Sequence, residues 1–259
     1  MGGGLGLFAG SSHALVTEKT RIAMPEITIA LYPDVGGSWF LNRMPGKCGL
    51  FVALTAAPLN AADAMYAGLA RYFADSARKQ ELLSVLRELP WQDSDQHNQQ
   101  LLSEHLDTLV PGKAVNPDGG ELAVNLAEHR ALIDRVCAGD SLAKVVDGIL
   151  GVESADAWWQ KAQANLAHGS PIAANTIWQQ LRRRSGLSLE EVFAFELMIS
   201  TNVVRHPEFA EGVRALLIDK DKLPRWQYER VDQVPEALMT QFFSPPWEHN
   251  PLADLGGAK

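Results

Sequence analysis

Glycine and proline punctuate the stretch from Met1 to Arg43 so densely that no long helix or strand fits there. Gly2-Gly3-Gly4 opens an apolar run, Leu5 to Ala9, that ends at Gly10 with Ser11-Ser12 behind it. Pro25 and Pro33 bracket a second apolar run, Ile27 to Leu31, and Gly36-Gly37 follow closely. Glycines ahead of an apolar run let the backbone approach a ligand, and if the run is helical its unpaired N–H groups and dipole stabilise negative charge. The same triplet serves equally as a tight turn that needs glycine for its dihedrals. Gly4-x-Gly6-x-x-Ala9 also fits the permissive dinucleotide fingerprint, with Glu26 about twenty residues on. That motif must follow a buried strand, and nothing ahead of Gly4 can supply one, so it is set aside.

Two carboxylates stand in this region. Ala14 to Thr17 and Arg21 to Met24 read as short strands joined by the polar turn Glu18-Lys19-Thr20. Pro25 breaks the second strand, which leaves Glu26 where extended chain ends. Asp34 precedes Val35-Gly36-Gly37-Ser38-Trp39-Phe40-Leu41 and has the position of a helix N-cap. A solvated strand end and a cap are the plain structural readings of the two. Against them stand the apolar surroundings, since a carboxylate held there has a raised pKa suited to proton transfer or nucleophilic attack.

Met1-Gly2-Gly3-Gly4, Ala23-Met24-Pro25-Glu26 and Pro33-Asp34-Val35-Gly36-Gly37-Ser38-Trp39-Phe40-Leu41-Asn42-Arg43 together resemble the crotonase (enoyl-CoA hydratase/isomerase) superfamily. Within it the match is to the 3-hydroxyisobutyryl-CoA hydrolase branch, whose C-terminal signature is similar to the segments His206 to Asp221 and Pro224-Arg225-Trp226. The resemblance implies an α/β, ClpP/crotonase-like fold, represented by its C-terminal part: residues 1–75 with a few short strands and the acid pair, then a mostly helical region, 76–259. It also implies roles. Gly3 would give a backbone N–H to an oxyanion hole, Glu26 would be the catalytic glutamate and Asp34 the second acid. Where hydratases of the family place their first catalytic glutamate this chain has Gly6, which disfavours water addition by a glutamate pair. Dienoyl-CoA isomerases look similar in using acids at the positions of Glu26 and Asp34.

The function implied is hydrolysis of a short 3-hydroxyacyl-CoA thioester, 3-hydroxyisobutyryl-CoA first, in valine catabolism. The rivals are an enoyl-CoA or dienoyl-CoA isomerase or hydratase of the same superfamily, and an inactive fragment that needs its N-terminal half. No cofactor is implied beyond the CoA carried by the substrate. Family members have an N-terminal portion ahead of the glycine triplet, so the expected partners are the acyl-CoA substrate together with that missing portion or a homo-oligomer partner.

Composition bounds the rest. The chain has 259 residues, 46% hydrophobic and 21% charged, enough for one large or two modest cores. A net charge of −8, with no basic run longer than Arg182-Arg183-Arg184, argues against a nucleic-acid partner. That triplet reads as a solvated helix face, with contact to a CoA phosphate as the sharper alternative. Cys48 and Cys137 are too few and too far apart for a disulfide framework. With no signal peptide and no spanning apolar stretch, the expectation is a cytoplasmic protein away from the membrane. No histidines pair with an acid at zinc-ligand spacing, so no metal is expected, and no Gly-x-Ser-x-Gly elbow is present. The tryptophans, including adjacent Trp158-Trp159, read as packing anchors.

After Arg43 the periodicity is helical. It predicts helices over 46–56, 61–70 and 76–89, the last with Leu82, Leu83, Val85, Leu86 and Leu89 inward, and a short strand at Arg71 to Ala74. Pro90 stops the third helix, and residues 93–120 read as a helix at 101–109 followed by a surface loop. Further helices are predicted over 129–138, 141–150, 154–167, 171–184 and 188–204, the last opened by a capping box from Ser188 to Glu191. Residues 219–234 read as loop-rich and 235–243 as a final short helix.

Overall fold

A computed structural model describes residues 1–110, 112, 114–115, 120–183 and 186–255. The chain runs α1 (Gly3–Ala9), β1 (Leu15–Val16), a 3₁₀ turn (Pro25–Ile29), α2 (Gly37–Leu41), α3 (Cys48–Thr55), α4 (Ala61–Tyr66) and β2 (Tyr72–Phe73). After a 3₁₀ turn at Ser76–Arg78 come α5 (Lys79–Glu88), α6 (Asp95–Leu109), α7 (Asn125–Glu128), α8 (Arg130–Val136), α9 (Leu142–Leu150) and α10 (Ala157–His168). The chain continues through α11 (Pro171–Arg183), α12 (Leu189–Val203), α13 (Pro207–Val213), a π turn (Arg214–Ile218) and α14 (Glu236–Phe242). Pro111, Pro117, Gly119 and Arg184, each part of a sequence reading above, lie outside the described residues.

These elements divide into two compact units. One comprises residues 4–22 and 59–129. Its two-stranded ladder is parallel, Leu15 against Tyr72 and Val16 against Phe73. The predicted strand at 71–74 is therefore present, whereas the one at 21–24 shrinks to a single antiparallel bridge between Ile22 and Leu59. Pro25 lies too close behind for a longer ladder to continue. The core of this unit is Tyr72, Ala74, Leu82, Leu106 and Val110, with Leu15, Leu102 and Leu109 packed on it. Helix α6 starts at Asp95, earlier than predicted, because the Ser94 hydroxyl accepts the His97 N–H as an N-cap.

The other unit comprises residues 1–3, 23–58 and 130–259. Its core contains Tyr32, Phe51, Leu54, Ile133, Ile149 and Trp159, all fully buried. The Phe51 and Trp159 rings stack at 5.0 Å, and the Trp158 indole N–H donates to the Pro58 carbonyl at 2.7 Å, so both tryptophans act as packing anchors. The capping box at the start of α12 forms as predicted: the Glu191 N–H donates to Ser188 Oγ and the Ser188 N–H to Glu191 Oε2.

Two glycines permit unusually close packing here. A methyl group on Gly49 in α3 would lie 2.0 Å from the Leu41 carbonyl oxygen of α2, and one on Gly212 in α13 would lie 2.5 Å from the Ile29 backbone. The second contact presses α13 against the turn that carries Glu26. Gly212→Ala must push that backbone away, so a loss of about 1–3 kcal/mol is expected in urea denaturation. Unchanged stability would show that the contact is looser than described.

Candidate active site

The Pro25–Ile29 turn carries the first acid. Pro25 suits the first helical position because it lacks an N–H that would go unpaired there, and Ala30 closes the turn in the left-handed region at φ 56°. Thr28 Oγ1 donates to the Pro25 carbonyl at 2.6 Å and the Leu31 N–H to the Glu26 carbonyl at 2.9 Å. Outside the turn, the Ser170 N–H donates to the Ile27 carbonyl at 2.9 Å, and Ile27 itself is fully buried. Glu26 thus stands in a tight turn closed on several sides, where sequence reading expected the end of a strand.

Glu26 is 8% exposed, and its Oε2 has no hydrogen-bond partner among the described residues. Burial pushes its pKa up to about 7, and the negative charge of Asp34 adds to the rise. Asp34 is half-buried, and burial raises its pKa as well. Of the two acids that sequence reading singled out, Asp34 is therefore close enough to raise the pKa of Glu26.

Asp34 does not cap α2. The N-cap residue is Gly36, with no side-chain cap of its own sequence neighbourhood. A third acid fulfils that role from far along the chain. The Gly36 N–H donates to Glu196 Oε2 and the Ser38 N–H to Glu196 Oε1, each at 2.8 Å. Glu196 is 3% exposed; burial raises its pKa, the bonds from Ser38 and Gly36 oppose that rise, and Asp34 reinforces it. Gln180 Nε2 adds bonds to the Pro33 carbonyl at 2.7 Å and to Ser38 Oγ at 2.9 Å, and the Tyr32 hydroxyl donates to the Glu196 carbonyl at 2.7 Å.

This clamp holds a strained loop. Val35 has φ 55° and Gly36 φ 87°. Glycine adopts such a conformation freely, but a β-branched residue there is a genuine outlier costing about 1–3 kcal/mol. Sequence reading missed Glu196. The signal for it is a glutamate on the apolar stripe of α12, shared with Val192, Phe195, Ile199 and Val203, where a carboxylate needs a dedicated partner.

Gly3 begins α1, so its N–H lies in the first turn, where no intrahelical acceptor exists. A Cβ built on Gly3 or Gly4 would meet no atom within 4 Å, so contacts among the described residues do not require glycine at either position. Gly2 has φ 59°, which favours glycine. Arg182, the first member of the basic triplet, places its guanidinium over the Trp178 ring at 4.4 Å. Among the described residues no cluster of three histidine, cysteine or acidic side chains is arranged to hold a metal, and no helix is long and apolar enough to cross a membrane.

A family model described as enoyl-CoA hydratase/isomerase matches residues 1–243. The chain belongs to that family. Among its relatives, the mitochondrial 3-hydroxyisobutyryl-CoA hydrolase of Gallus gallus is 35% identical over 245 residues, a span of 95% of this chain and 61% of that protein. The Homo sapiens protein of the same name is 33% identical, across 94% of this chain and 60% of its own length. Among solved structures, an enoyl-CoA hydratase from Rhodobacter sphaeroides superposes with a TM-score of 0.77 at 28% identity, covering 95% of this chain and 66% of the other. A carnitinyl-CoA dehydratase from Mycobacterium thermoresistibile gives 0.80 at 29%, covering 98% and 67%. The fold is thus the crotonase fold, and the chain spans about three fifths of the length of the curated relatives it matches.

One expectation is corrected by these relatives. The cytoplasmic location expected from the sequence is at odds with the 3-hydroxyisobutyryl-CoA hydrolases this family member matches, which are mitochondrial. Composition could not show this, because a reducing interior and a low cysteine count are common to several compartments.

The raised pKa of Glu26 has a consequence for stability. Below pH 4.5 the carboxyl is protonated folded and unfolded, so it makes no difference; as pH rises towards 7 the unfolded chain ionises first and the folded state loses stability. Above about pH 7 the whole penalty is present, on the order of 3 kcal/mol at most. Glu26→Gln, which cannot ionise, should be the more stable protein at pH 8, with the difference nearly gone at pH 4.5, in chemical denaturation at the two values. A variant that is less stable at both would mean that Glu26 is partnered in solution.

Proposed function

We propose that this protein hydrolyses a short 3-hydroxyacyl-CoA thioester, 3-hydroxyisobutyryl-CoA before others, as a step of valine degradation. The observation that carries the proposal is the carboxyl of Glu26, buried, without a partner at Oε2 among the described residues and with its pKa near 7, beside a second acid. A general base or nucleophile is most useful when its pKa is close to the working pH. The names of the relatives support the thioester as substrate, and Gly6, in place of the first glutamate of the hydratases, weighs against addition of water across a double bond.

In this mechanism the thioester carbonyl is held at the first turn of α1, where the Gly3 N–H donates to the oxygen as it becomes negative. Glu26 attacks the carbonyl carbon, or takes a proton from the water that does, and Asp34 orients the substrate hydroxyl or helps move the proton. The C–S bond breaks, the sulfur leaves as the thiol of CoA after protonation, and water supplies the oxygen of the free acid. The CoA portion belongs to the substrate, and no further cofactor takes part.

The isomerase reading rests on the same pair of acids, and a product assay separates the two. The complete protein is expected to release thiol from 3-hydroxyisobutyryl-CoA, and Glu26→Gln to lower kcat by about 10²-fold or more. A shift in dienoyl-CoA absorbance without release of thiol would overturn the hydrolase in favour of the isomerase. Asp34→Ala should also slow turnover. Because Asp34 does not cap α2, that variant should not lose the roughly 1 kcal/mol expected on removing a cap, and denaturation beside the rate assay checks both effects.

A further inference from the structure

We infer that Glu196 is the positioning residue of the acid pair: its carboxylate holds the strained turn at Val35 and Gly36 and so fixes where the Asp34 carboxyl stands beside Glu26. The inference rests on the reading that Glu26 and Asp34 carry out the chemistry.

The geometry supports this in three ways. First, each oxygen of Glu196 takes one backbone N–H, from Gly36 and from Ser38, at 2.8 Å. Two N–H groups converging on one carboxylate form an anion-binding concavity, and an anion buried there compensates donors that otherwise face no acceptor. Second, the residues on which it acts directly follow Asp34, and Val35 adopts a φ of 55° that a β-branched residue does not keep unless its surroundings impose it. The Gly37 N–H donates to the Asp34 carbonyl at 2.9 Å, so the backbone of Asp34 itself is tied into the turn that Glu196 grips. Third, Glu196 is itself fixed. It lies in the interior of α12, and its backbone carbonyl accepts the Tyr32 hydroxyl, which also bonds Ser200 Oγ at 2.6 Å.

A carboxylate is needed because both of its oxygens accept. The amide of a glutamine can accept one of the two N–H groups but turns its own donors towards the other. An aspartate keeps the charge but is one methylene shorter, so it cannot reach both N–H groups from the same helix position. The hydrogen bonds of Glu196 go to Gly36, Ser38, Gln180 and Tyr32 and not to the carboxyls of Glu26 or Asp34, so its influence on rate runs through the backbone on either side of Val35.

The test uses Glu196→Gln in the complete protein, with two readouts. Hydrogen exchange of the peptide covering residues 33–42, followed by mass spectrometry, is expected to be at least tenfold faster at Gly36 and Ser38 than in the natural protein. Turnover of 3-hydroxyisobutyryl-CoA is expected to fall about tenfold or more in kcat with KM within threefold. Adding Val35→Gly, which removes the strain the clamp opposes, should restore a good part of the lost kcat. Unchanged exchange, or unchanged kcat per folded molecule, would overturn the inference, and so would a kcat loss that Val35→Gly leaves untouched. If Glu196→Gln does not fold, Glu196→Asp is read by the same criteria. A natural protein that releases no thiol would sink the hydrolase reading separately, and exchange at Gly36 and Ser38 would then decide whether Glu196 holds the turn.

Discussion

A carboxyl group kept out of water without a full set of partners is expensive, and the packing around residues 25–38 is arranged to keep one there. Glu26 is nearly inaccessible and its Oε2 finds no partner among the described residues. It stays buried because the short turn that bears it cannot move away. Ser170 holds the Ile27 carbonyl, a side chain at Gly169 would collide with Ile27, and α13 approaches the Ile29 backbone closely enough that only glycine fits at 212. The Ser170 hydroxyl in turn bonds the buried Glu208 carboxylate, whose other oxygen takes the Gln227 N–H at 3.0 Å. The C-terminal helices therefore form the wall against which the acid is held.

Three acids of one region differ because their surroundings differ. Glu26 is buried and short of partners, Asp34 is half-buried, and Glu196 is buried with both oxygens bonded to backbone N–H groups. Desolvation raises all three, but only Glu196 has bonds from a helix start to compensate its charge. Environments that separate titratable groups in this way are how one site divides its roles. The acid suited to receive a proton is the one with unfilled acceptor capacity, and the acid suited to hold a strained loop is the one whose capacity is used up.

Much of this was legible in the sequence where local rules decide. The prolines at 25 and 33 and the glycines at 36 and 37 marked the turns that carry the acids, and Ser188 with Glu191 marked the start of α12. The resemblance then supplied the family. What local rules could not reach was long-range. Glu196 acts on Gly36 across 160 residues, and no spacing in the chain announces that pairing. Asp34 looked like a cap for the same reason: a single sequence shows the nearest acid, whereas the helix is capped by one that folding brings from α12. The strand at 21–24 failed because propensity favours extended chain there, but among the described residues the ladder reduces to one bridge, from Ile22 to Leu59. Helix α6 was cut short because its polar first turns hide its periodicity, although Ser94 marks the start.

The account depends on Glu26 being a buried carboxyl that keeps its proton to near neutrality, and this can be measured without reference to substrate. Carbon-13 labelling of glutamate, with Glu26→Gln to assign the resonance, gives its titration curve directly. A midpoint near pH 7 is the result predicted. A midpoint close to 4.3, that of a solvated glutamate, would contradict the arrangement on which both the proposed chemistry and the role of Glu196 rest.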